Sequence, residues 1–180
     1  MNATSAVGAI VRAVPEALLV ASLGTATSAL RAATDDGPHL YLGGAMGSAL
    51  ATAVGVAEKR PERRVVAILG DGELLMGASS LWTLAGSRAR HLTVAVLSDG
   101  HYSITGGQPL GVQPAFVEVA AALGLDAVRA DTEGQVANAL GGPEPCAFVE
   151  IRCDERDWPG PSPFVDPPIV RWRFEHAARA

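Results

Sequence analysis

The sequence contains little cysteine, few aromatic residues and little charge of either sign. Two cysteines, Cys146 and Cys153, are too few for a disulfide framework or a structural zinc site. Aromatic residues make up 5% of the 180 residues, which argues against a platform that stacks nucleic-acid bases. Lys and Arg total 14 against 19 Asp and Glu, a net charge of −5 with no basic block. We therefore expect no nucleic-acid partner.

Long apolar runs are absent as well. No stretch approaches the roughly 18 apolar residues that a membrane-spanning helix requires. Residues 1–14 lack the basic segment and apolar stretch of a signal peptide. Hydrophobic residues nevertheless reach 48% and charged residues only 18%, which excludes a disordered chain. We expect a cytoplasmic protein without a membrane partner, folded as a single domain over residues 1–180.

Short apolar runs alternate with segments that are typical of helices. Six strands are predicted, at residues 17–22, 39–42, 64–69, 92–97, 126–129 and 146–152. Helices are predicted at residues 1–14, 25–33, 45–58, 73–85, 114–123 and 132–140. Continuous apolar strands between helices indicate a mainly parallel sheet that is covered on both faces. The predicted fold class is therefore α/β, a three-layer sandwich.

Proline is concentrated near the C-terminus. Residues 159–168 are expected to lack regular structure and belong to a Pro-rich tail at about 156–180. Four aromatic residues lie in this tail, namely Trp158, Phe164, Trp172 and Phe174. Two interpretations remain open: the tail packs against a partner subunit, or it folds back on its own domain.

Two glycine-rich segments follow predicted strands, at the sheet edge where α/β proteins bind ligands. Residues 43–47 (GGAMG) offer backbone amides at a helix start, which suit a phosphate, or form a tight turn for close packing. Residues 70–73 (GDGE) place Asp71 between two glycines. There its carboxylate can reach Mg²⁺ while the neighbouring amides face a diphosphate, and an ordinary turn is the alternative.

A third segment, residues 98–101 (SDGH), follows the next buried strand. Twenty-six residues separate Gly72 from Asp99, the length of one helix plus one strand. In a parallel sheet this spacing brings Asp71 and Asp99 to nearby loops at the same edge. Both carboxylates can then hold one metal ion.

Together these motifs resemble the signature of thiamine diphosphate enzymes, in which Gly-Asp-Gly is followed about two dozen residues later by Asn. Residues 15–155 resemble the diphosphate-binding half (the beta subunit) of sulfopyruvate and phosphonopyruvate decarboxylases. The segments that carry the resemblance are residues 22–24 (SLG), 44–47 (GAMG), 70–76 (GDGELLM), 96–100 (VLSDG) and 105–109 (TGGQP).

The resemblance implies the thiamin diphosphate-binding fold, with thiamine diphosphate and Mg²⁺ as cofactors. It implies that Asp71, Asp99 and the main-chain carbonyl of His101 bind the metal. The cofactor-binding set that it implies comprises Gly44, Ala45, Met46, Gly70, Gly72, Glu73 and His101. Met46 matches the apolar residue that wedges between the two rings of the cofactor, although core packing is an alternative. The sequence departs from the family at Asp99, where Asn is usual, and in the loop at residues 101–104.

The resemblance also implies a missing half. In the family a glutamate of the pyrimidine-binding domain activates the cofactor, and no glutamate here stands in a matching context. We therefore expect no catalytic residue in this chain and a hetero-oligomer with a pyrimidine-binding alpha subunit that supplies this Glu. The implied activity is that of a lyase, a decarboxylase of a small 2-oxo acid. The alternatives are a subunit of a carboligase similar to acetolactate synthase, or a noncatalytic cofactor-binding subunit.

Overall fold

The computed structural model describes residues 1–34, 37–142, 145–155, 157, 159–160 and 165–180. The strands are β1 (Leu18–Ala21), β2 (Leu40–Tyr41), β3 (Val65–Gly70), β4 (Leu92–Ser98), β5 (His101–Tyr102), β6 (Gln108–Pro109), β7 (Ala127–Ala130) and β8 (Phe148–Arg152). The helices are α1 (Ala3–Ala13), α2 (Gly24–Thr34), α3 (Ala49–Lys59), α4 (Asp71–Met76), α5 (Ser80–Gly86), α6 (Phe116–Ala122), α7 (Glu133–Gly141) and α8 (Pro167–Arg179). None of the helices in these ranges is both long and apolar enough to cross a bilayer.

Six strands form one sheet in the order β2-β1-β3-β4-β8-β7, and every neighbouring pair is parallel. Alternate residues of each strand enter opposite cores, as the two-residue period of a strand requires. In β3, for example, Val66 and Ile68 join one core while Val65 and Ala67 join the other. The predicted α/β class with a mainly parallel sheet is confirmed.

Helices cover both faces of this sheet. Buried residues of α1, α2 and α7 pack in one core, and those of α3, α5, α6 and α8 pack in the other. The order of the strands explains this division. Because crossovers between parallel strands are right-handed, a helix that connects a strand to a neighbour on its left covers one face of the sheet, and a helix that connects it to a neighbour on its right covers the other face. The result is the predicted three-layer arrangement.

The chain reverses its direction at β1, which lies between β2 and β3. After β1 the chain moves to one side of the sheet, whereas after β3 it moves to the other. The loops that follow these two strands therefore diverge and leave a crevice at the carboxyl edge. Such a crevice is the usual ligand position in open α/β sheets.

The prediction of one helix over residues 45–58 was wrong at its start, because α3 begins only at Ala49. Gly43, Gly44 and Gly47 have φ angles of 65°, 111° and 86°. A right-handed helix excludes positive φ, so residues 43–48 form a turn instead.

The single helix predicted over residues 73–85 is two helices, α4 and α5, separated by a turn at residues 77–79. At this turn Gly77 lies against the backbone of Gly47, a contact that sequence periodicity does not report. The chain after β4 contains structure that was not predicted, since β5 and β6 pair as an antiparallel hairpin around a 3₁₀ turn at Ser103–Thr105.

The prediction that residues 159–168 lack regular structure was wrong at its end. Pro167 and Pro168 begin α8. Proline is tolerated there because the N–H groups of the first helical turn have no acceptor within the helix, so the N–H that proline lacks costs no helical hydrogen bond. Phe174 is buried against the domain's own core, whereas Trp172 is exposed. The other two aromatic residues of the predicted tail, Trp158 and Phe164, lie outside the described residues.

Candidate functional site

A cavity of about 260 Å³ opens at the crevice beside β1 and β3. Most of its lining comes from four segments that follow strands of the sheet, at residues 23–26, 44 and 46, 70–73, and 99 with 101–105. A second cavity of about 440 Å³ shares Gly24, Asp99 and Ile104 with it, so the two form adjoining parts of one cleft.

Asp71 is a buried carboxylate that joins two of these loops. It is 1% exposed, and its Oδ1 accepts a hydrogen bond from the Gly72 amide at 2.7 Å. Its Oδ2 accepts one from the Gly100 amide, also at 2.7 Å. Burial raises the pKa of Asp71, the charge of Asp99 raises it further, and the Gly100 and Gly72 amides oppose the rise. A cation at this position would stabilise the ionised carboxylate.

Asp99 orders the loop that follows β4. Its Oδ1 accepts a hydrogen bond from the His101 amide at 2.8 Å, and its Oδ2 accepts one from the Ser103 hydroxyl at 3.0 Å. Its main-chain carbonyl lies 2.7 Å from Nδ1 of the His101 ring. These bonds hold the Asp99 side chain and the His101 backbone on one turn, beside Asp71.

The predicted metal ligands therefore lie together, as two carboxylates and a backbone segment. Among the described residues no cluster of three or more His, Cys, Asp or Glu side chains could hold a metal ion. The donors available at Asp71, Asp99 and the His101 carbonyl are all oxygens, and Mg²⁺ is commonly held by one or two carboxylates with further oxygen ligands. A donor set made only of oxygens suits a hard divalent cation better than zinc.

The side chain of Glu73 connects α4 to the end of β1. It is 5% exposed, and its Oε1 accepts a hydrogen bond from the hydroxyl of the buried Ser22 at the end of β1. Burial raises the pKa of Glu73, while Ser22 and the Ala49 and Gly47 backbones oppose the rise. Its Oε2 is buried without a hydrogen-bond partner among the described residues.

The β5–β6 hairpin covers the cavity. A Cβ atom on Gly72 would lie 2.7 Å from two carbons of the Tyr102 ring. A Cβ atom on Gly24 would lie 3.0 Å from Cδ1 of Ile104. The hairpin can pack this closely only because both positions are glycine. Tyr102 and Ile104 thus form a roof over the start of α4 and the start of α2.

Most of the predicted site residues line this cavity. They are Gly44, Met46, Gly70, Asp71, Gly72, Glu73, Asp99 and His101. Ala45 is the one predicted site residue that does not line the cavity. Thr25, Tyr102, Ile104 and Cys153 line it too, and their place in the site was not predicted from the sequence.

The missed residues differ in the signal that they carried. Tyr102 and Ile104 belong to the loop after Asp99, which the sequence marked as part of the site. Their position over Gly72 and Gly24 was not predicted. Cys153 follows β8, far in sequence from every motif, and only the strand order brings it to the cavity. Burial raises the pKa of the Cys153 thiol to about 12, so it stays protonated and is a poor nucleophile.

Residues 22–149 match the family model of the thiamine pyrophosphate enzyme C-terminal TPP binding domain. The chain belongs to this family. The match includes the segments around Asp71 and Asp99 and the turn at residues 43–47.

Two curated relatives and one solved structure are informative. Phosphonopyruvate decarboxylase of Streptomyces viridochromogenes is 36% identical over 166 residues, which cover 88% of this chain and 41% of that enzyme. The chain thus spans less than half the length of this relative. Sulfopyruvate decarboxylase subunit beta of Methanothermobacter thermautotrophicus is 31% identical over 145 residues, which cover 79% of this chain and 77% of that subunit.

A chain of 2-oxoglutarate:ferredoxin oxidoreductase from Magnetococcus marinus has a similar fold, with a TM-score of 0.69 at 17% identity. The alignment covers 83% of this chain and 60% of that one. At this identity the likeness supports the fold alone. The thiamin diphosphate-binding fold predicted from the resemblance is confirmed.

Proposed function

We propose that this chain is the diphosphate- and Mg²⁺-binding subunit of a two-subunit thiamine diphosphate-dependent 2-oxo acid decarboxylase. The observation that carries the proposal is the position of Asp71. In a chain of the thiamine pyrophosphate enzyme family, this buried carboxylate lies beside Asp99 at the base of a cavity lined by glycine turns.

The residues present fit Mg²⁺. Asp71, Asp99 and the main-chain carbonyl of His101 would hold the ion. Asp71 is nearly fully buried and next to a second carboxylate, an arrangement that is unfavourable without a compensating cation. Asp99 in place of the family's Asn keeps an oxygen ligand and adds one negative charge.

The residues present also fit a diphosphate. Gly72 lines the cavity at the start of α4, and Gly24 and Thr25 line it at the start of α2, whose first turn contains no acidic residue. Amides at a helix start attract anions through their N–H groups and the helix dipole. Gly44, Ala45, Gly70 and the backbone of Glu73 would complete the surroundings of the diphosphate.

Bound thiamine diphosphate supplies a carbon nucleophile and an electron sink for the loss of carbon dioxide. The residues of this chain bind and orient it. Met46 would pack between the two cofactor rings, and Tyr102 and Ile104 would keep water away from the metal side of the cleft. His101 and the rest of the loop at residues 101–104 would border the substrate.

A partner subunit would complete the site. We expect a pyrimidine-binding alpha subunit to supply the activating Glu, because no glutamate of this chain matches that role. The name of the M. thermautotrophicus relative, subunit beta, supports a second subunit. Two exposed apolar side chains support it as well. Ile104 lines the cavity and Met76 lies beside the 43–47 turn, and each is more than half exposed, as apolar residues that a partner covers would be.

The test is an assay of the purified chain with thiamine diphosphate, Mg²⁺ and sulfopyruvate, phosphonopyruvate or pyruvate. The product of a neighbouring gene that encodes an α/β chain of similar size is added or omitted. We expect carbon dioxide release only from the pair. Robust turnover by the chain alone would refute the split site, and acetolactate as the product from pyruvate would favour the carboligase alternative.

A further inference from the structure

Met46 is carried by a turn, residues 43–48, that contributes to the lining of the cavity. Gly44 and Ala45 in this turn are exposed, whereas Met46 is partly buried and lines the cavity. The amide of Met46 donates to the Gly44 carbonyl at 3.0 Å, and the amide of Ser48 donates to the Ala45 carbonyl at 3.1 Å. These two bonds determine the shape of the turn. They do not determine its distance from other segments, because both partners of each bond belong to the turn.

The turn touches the end of α4 through the backbones of two glycines. A Cβ atom on Gly77 would lie 2.1 Å from the carbonyl oxygen of Gly47 and 2.8 Å from its carbonyl carbon. A Cβ atom on Gly47 would lie 3.0 Å from the amide nitrogen of Gly77 and 3.2 Å from the carbonyl carbon of Met76. Backbone atoms cannot move aside by a change of rotamer. The approach of the turn to α4 therefore depends on the absence of a side chain at residue 77.

Gly77 is held in place from both directions along the chain. Its amide donates to the Glu73 carbonyl at 3.0 Å at the end of α4, and its carbonyl accepts from the Ser80 amide at 2.9 Å where α5 begins. Leu81 and Leu84 of α5 are buried in the core. A methyl group on residue 77 should therefore move the more exposed Met46 turn rather than the junction of α4 and α5.

We infer that Gly77 is a positioning residue, which lets the Met46 turn approach α4 and so sets the distance of Met46 from the cavity wall at Asp71 and Gly72. One short helix serves both sides, since α4 begins at Asp71 and ends at Met76, directly before Gly77. Gly77→Ala would require a shift of about 1 Å, because Cβ atoms essentially never lie within 3.0 Å of such neighbours. A gap of this size removes much of the attraction of a side-chain contact.

A ligand that contacts only the wall at Asp71 and Gly72 should not depend on this spacing, whereas a ligand that also contacts Met46 should. Inorganic diphosphate serves as the first kind of ligand and thiamine diphosphate as the second. The inference rests on the proposed function only in this choice of thiamine diphosphate.

Three variants separate the possible effects. Gly77→Ala adds the methyl group at the contact. Gly55→Ala is the matched control, because Gly55 is an exposed glycine of α3 and a Cβ atom there would have no neighbour within 4 Å. Met46→Ala removes the side chain that the turn positions. The combined variant of Gly77→Ala and Met46→Ala shows whether the two residues act on the same contact.

The first measurement is NMR of the full chain without ligand, labelled with ¹³C at the methionine methyl groups. The chain contains three methionines, and Met46→Ala assigns the signal of Met46. Gly77→Ala should shift this signal and Gly55→Ala should leave it in place. An unshifted Met46 signal in folded Gly77→Ala would overturn the inference.

The second measurement is calorimetric titration of the full chain, in Mg²⁺, with inorganic diphosphate and separately with thiamine diphosphate. Gly77→Ala should bind inorganic diphosphate like the native chain and thiamine diphosphate about tenfold more weakly, the size of a partly lost methionine contact. Met46→Ala should behave in the same way, and the combined variant should bind no more weakly than Met46→Ala alone. Equal weakening for both ligands, or losses that multiply in the combined variant, would overturn the positioning role.

Two further outcomes are distinguishable. If the native chain binds inorganic diphosphate but not thiamine diphosphate, the proposed function fails, and the Met46 signal still shows whether Gly77 positions the turn. If Gly77→Ala does not fold, Gly47→Ala tests the same contact from the other side, because its Cβ atom would lie 3.0 Å from the Gly77 amide nitrogen. Equal effects on the two ligands in Gly47→Ala, or no effect on either, would then overturn the inference.

Discussion

The backbone of Gly77 lies directly against that of Gly47. A Cβ atom on residue 77 would be 2.1 Å from the Gly47 carbonyl oxygen and 2.9 Å from its Cα. Gly47 itself has a φ of 86°, a backbone conformation that residues other than glycine rarely adopt. Two glycines that are thirty residues apart thus bring the end of α4 into contact with the turn that carries Met46.

Gly77→Ala should destabilise the chain by about 1–3 kcal/mol. The new methyl group would overlap the Gly47 backbone, which cannot change rotamer as a side chain can. Denaturant unfolding measures the loss. Gly55→Ala is the control: Gly55 lies within α3 and a Cβ there has no neighbour within 4 Å. Its substitution should be neutral or stabilise by up to about 1 kcal/mol. Equal effects of the two variants would contradict the contact.

Asp71→Ala should abolish Mg²⁺-dependent binding of thiamine diphosphate. Without this ligand the metal is lost, and the anionic diphosphate then faces Asp99 without compensation. The measurement is calorimetry on the chain reconstituted with its partner. Glu58→Ala, which removes an exposed carboxylate of α3, should leave the affinity unchanged. An unchanged affinity in Asp71→Ala would show that the metal is held elsewhere.

Asp99→Asn should preserve or strengthen cofactor binding. The amide oxygen remains a possible metal ligand and a partner for the His101 amide, while one negative charge beside the diphosphate is removed. The same calorimetry, compared with the native protein over a range of Mg²⁺ concentrations, measures the change. A large loss of affinity would mean that the carboxylate of Asp99 has a role that asparagine cannot fill.

His39 should make the folded state sensitive to mild acid. Burial lowers its pKa from 6.5 to about 4, and its Nδ1 has no hydrogen-bond partner among the described residues. The unfolded chain therefore binds a proton between pH 6.5 and 4 that the folded chain does not. Stability should fall as pH falls through this window, by up to about 3 kcal/mol.

The variant His39→Phe isolates this effect, because it keeps an aromatic ring edge-on to Tyr41 and cannot titrate. Burial raises the pKa of Asp71 and Glu73, so these groups favour the folded state as pH falls, but they do so in both proteins. The difference in free energy of unfolding between the variant and the native chain should therefore grow from pH 7 to pH 4.5. A constant difference would contradict the prediction.

The sheet and the place of the two aspartates were predictable. Residues 64–69 and 92–97 are nearly unbroken apolar runs, as strands buried on both faces must be. Because parallel strands end at one edge, Asp71 and Asp99 had to meet there once the sheet was recognised. The structure places the Gly100 amide, one residue after Asp99, on the Asp71 carboxylate.

The finer structure of the loops was not predictable in this way. The apolar pattern of residues 73–85 is compatible with one helix, and nothing local to it reports that Gly77 meets Gly47. Likewise, the glycines at 24 and 72 marked turns, but only the folded hairpin shows that Ile104 and Tyr102 cover them. Each of these features depends on residues that are distant in sequence.

The sequence by itself determined the α/β class and the edge of the sheet at which Asp71 and Asp99 meet, because strand period, apolar runs and glycine turns are local properties. The tertiary structure alone decided that the Ser22 hydroxyl donates to Glu73 and that the hairpin covers the cavity. The physical reason is that burial and hydrogen-bond partners belong to pairs of segments. Ser22 and Glu73 are separated by 51 positions, and their contact exists only once β1 and β3 lie side by side.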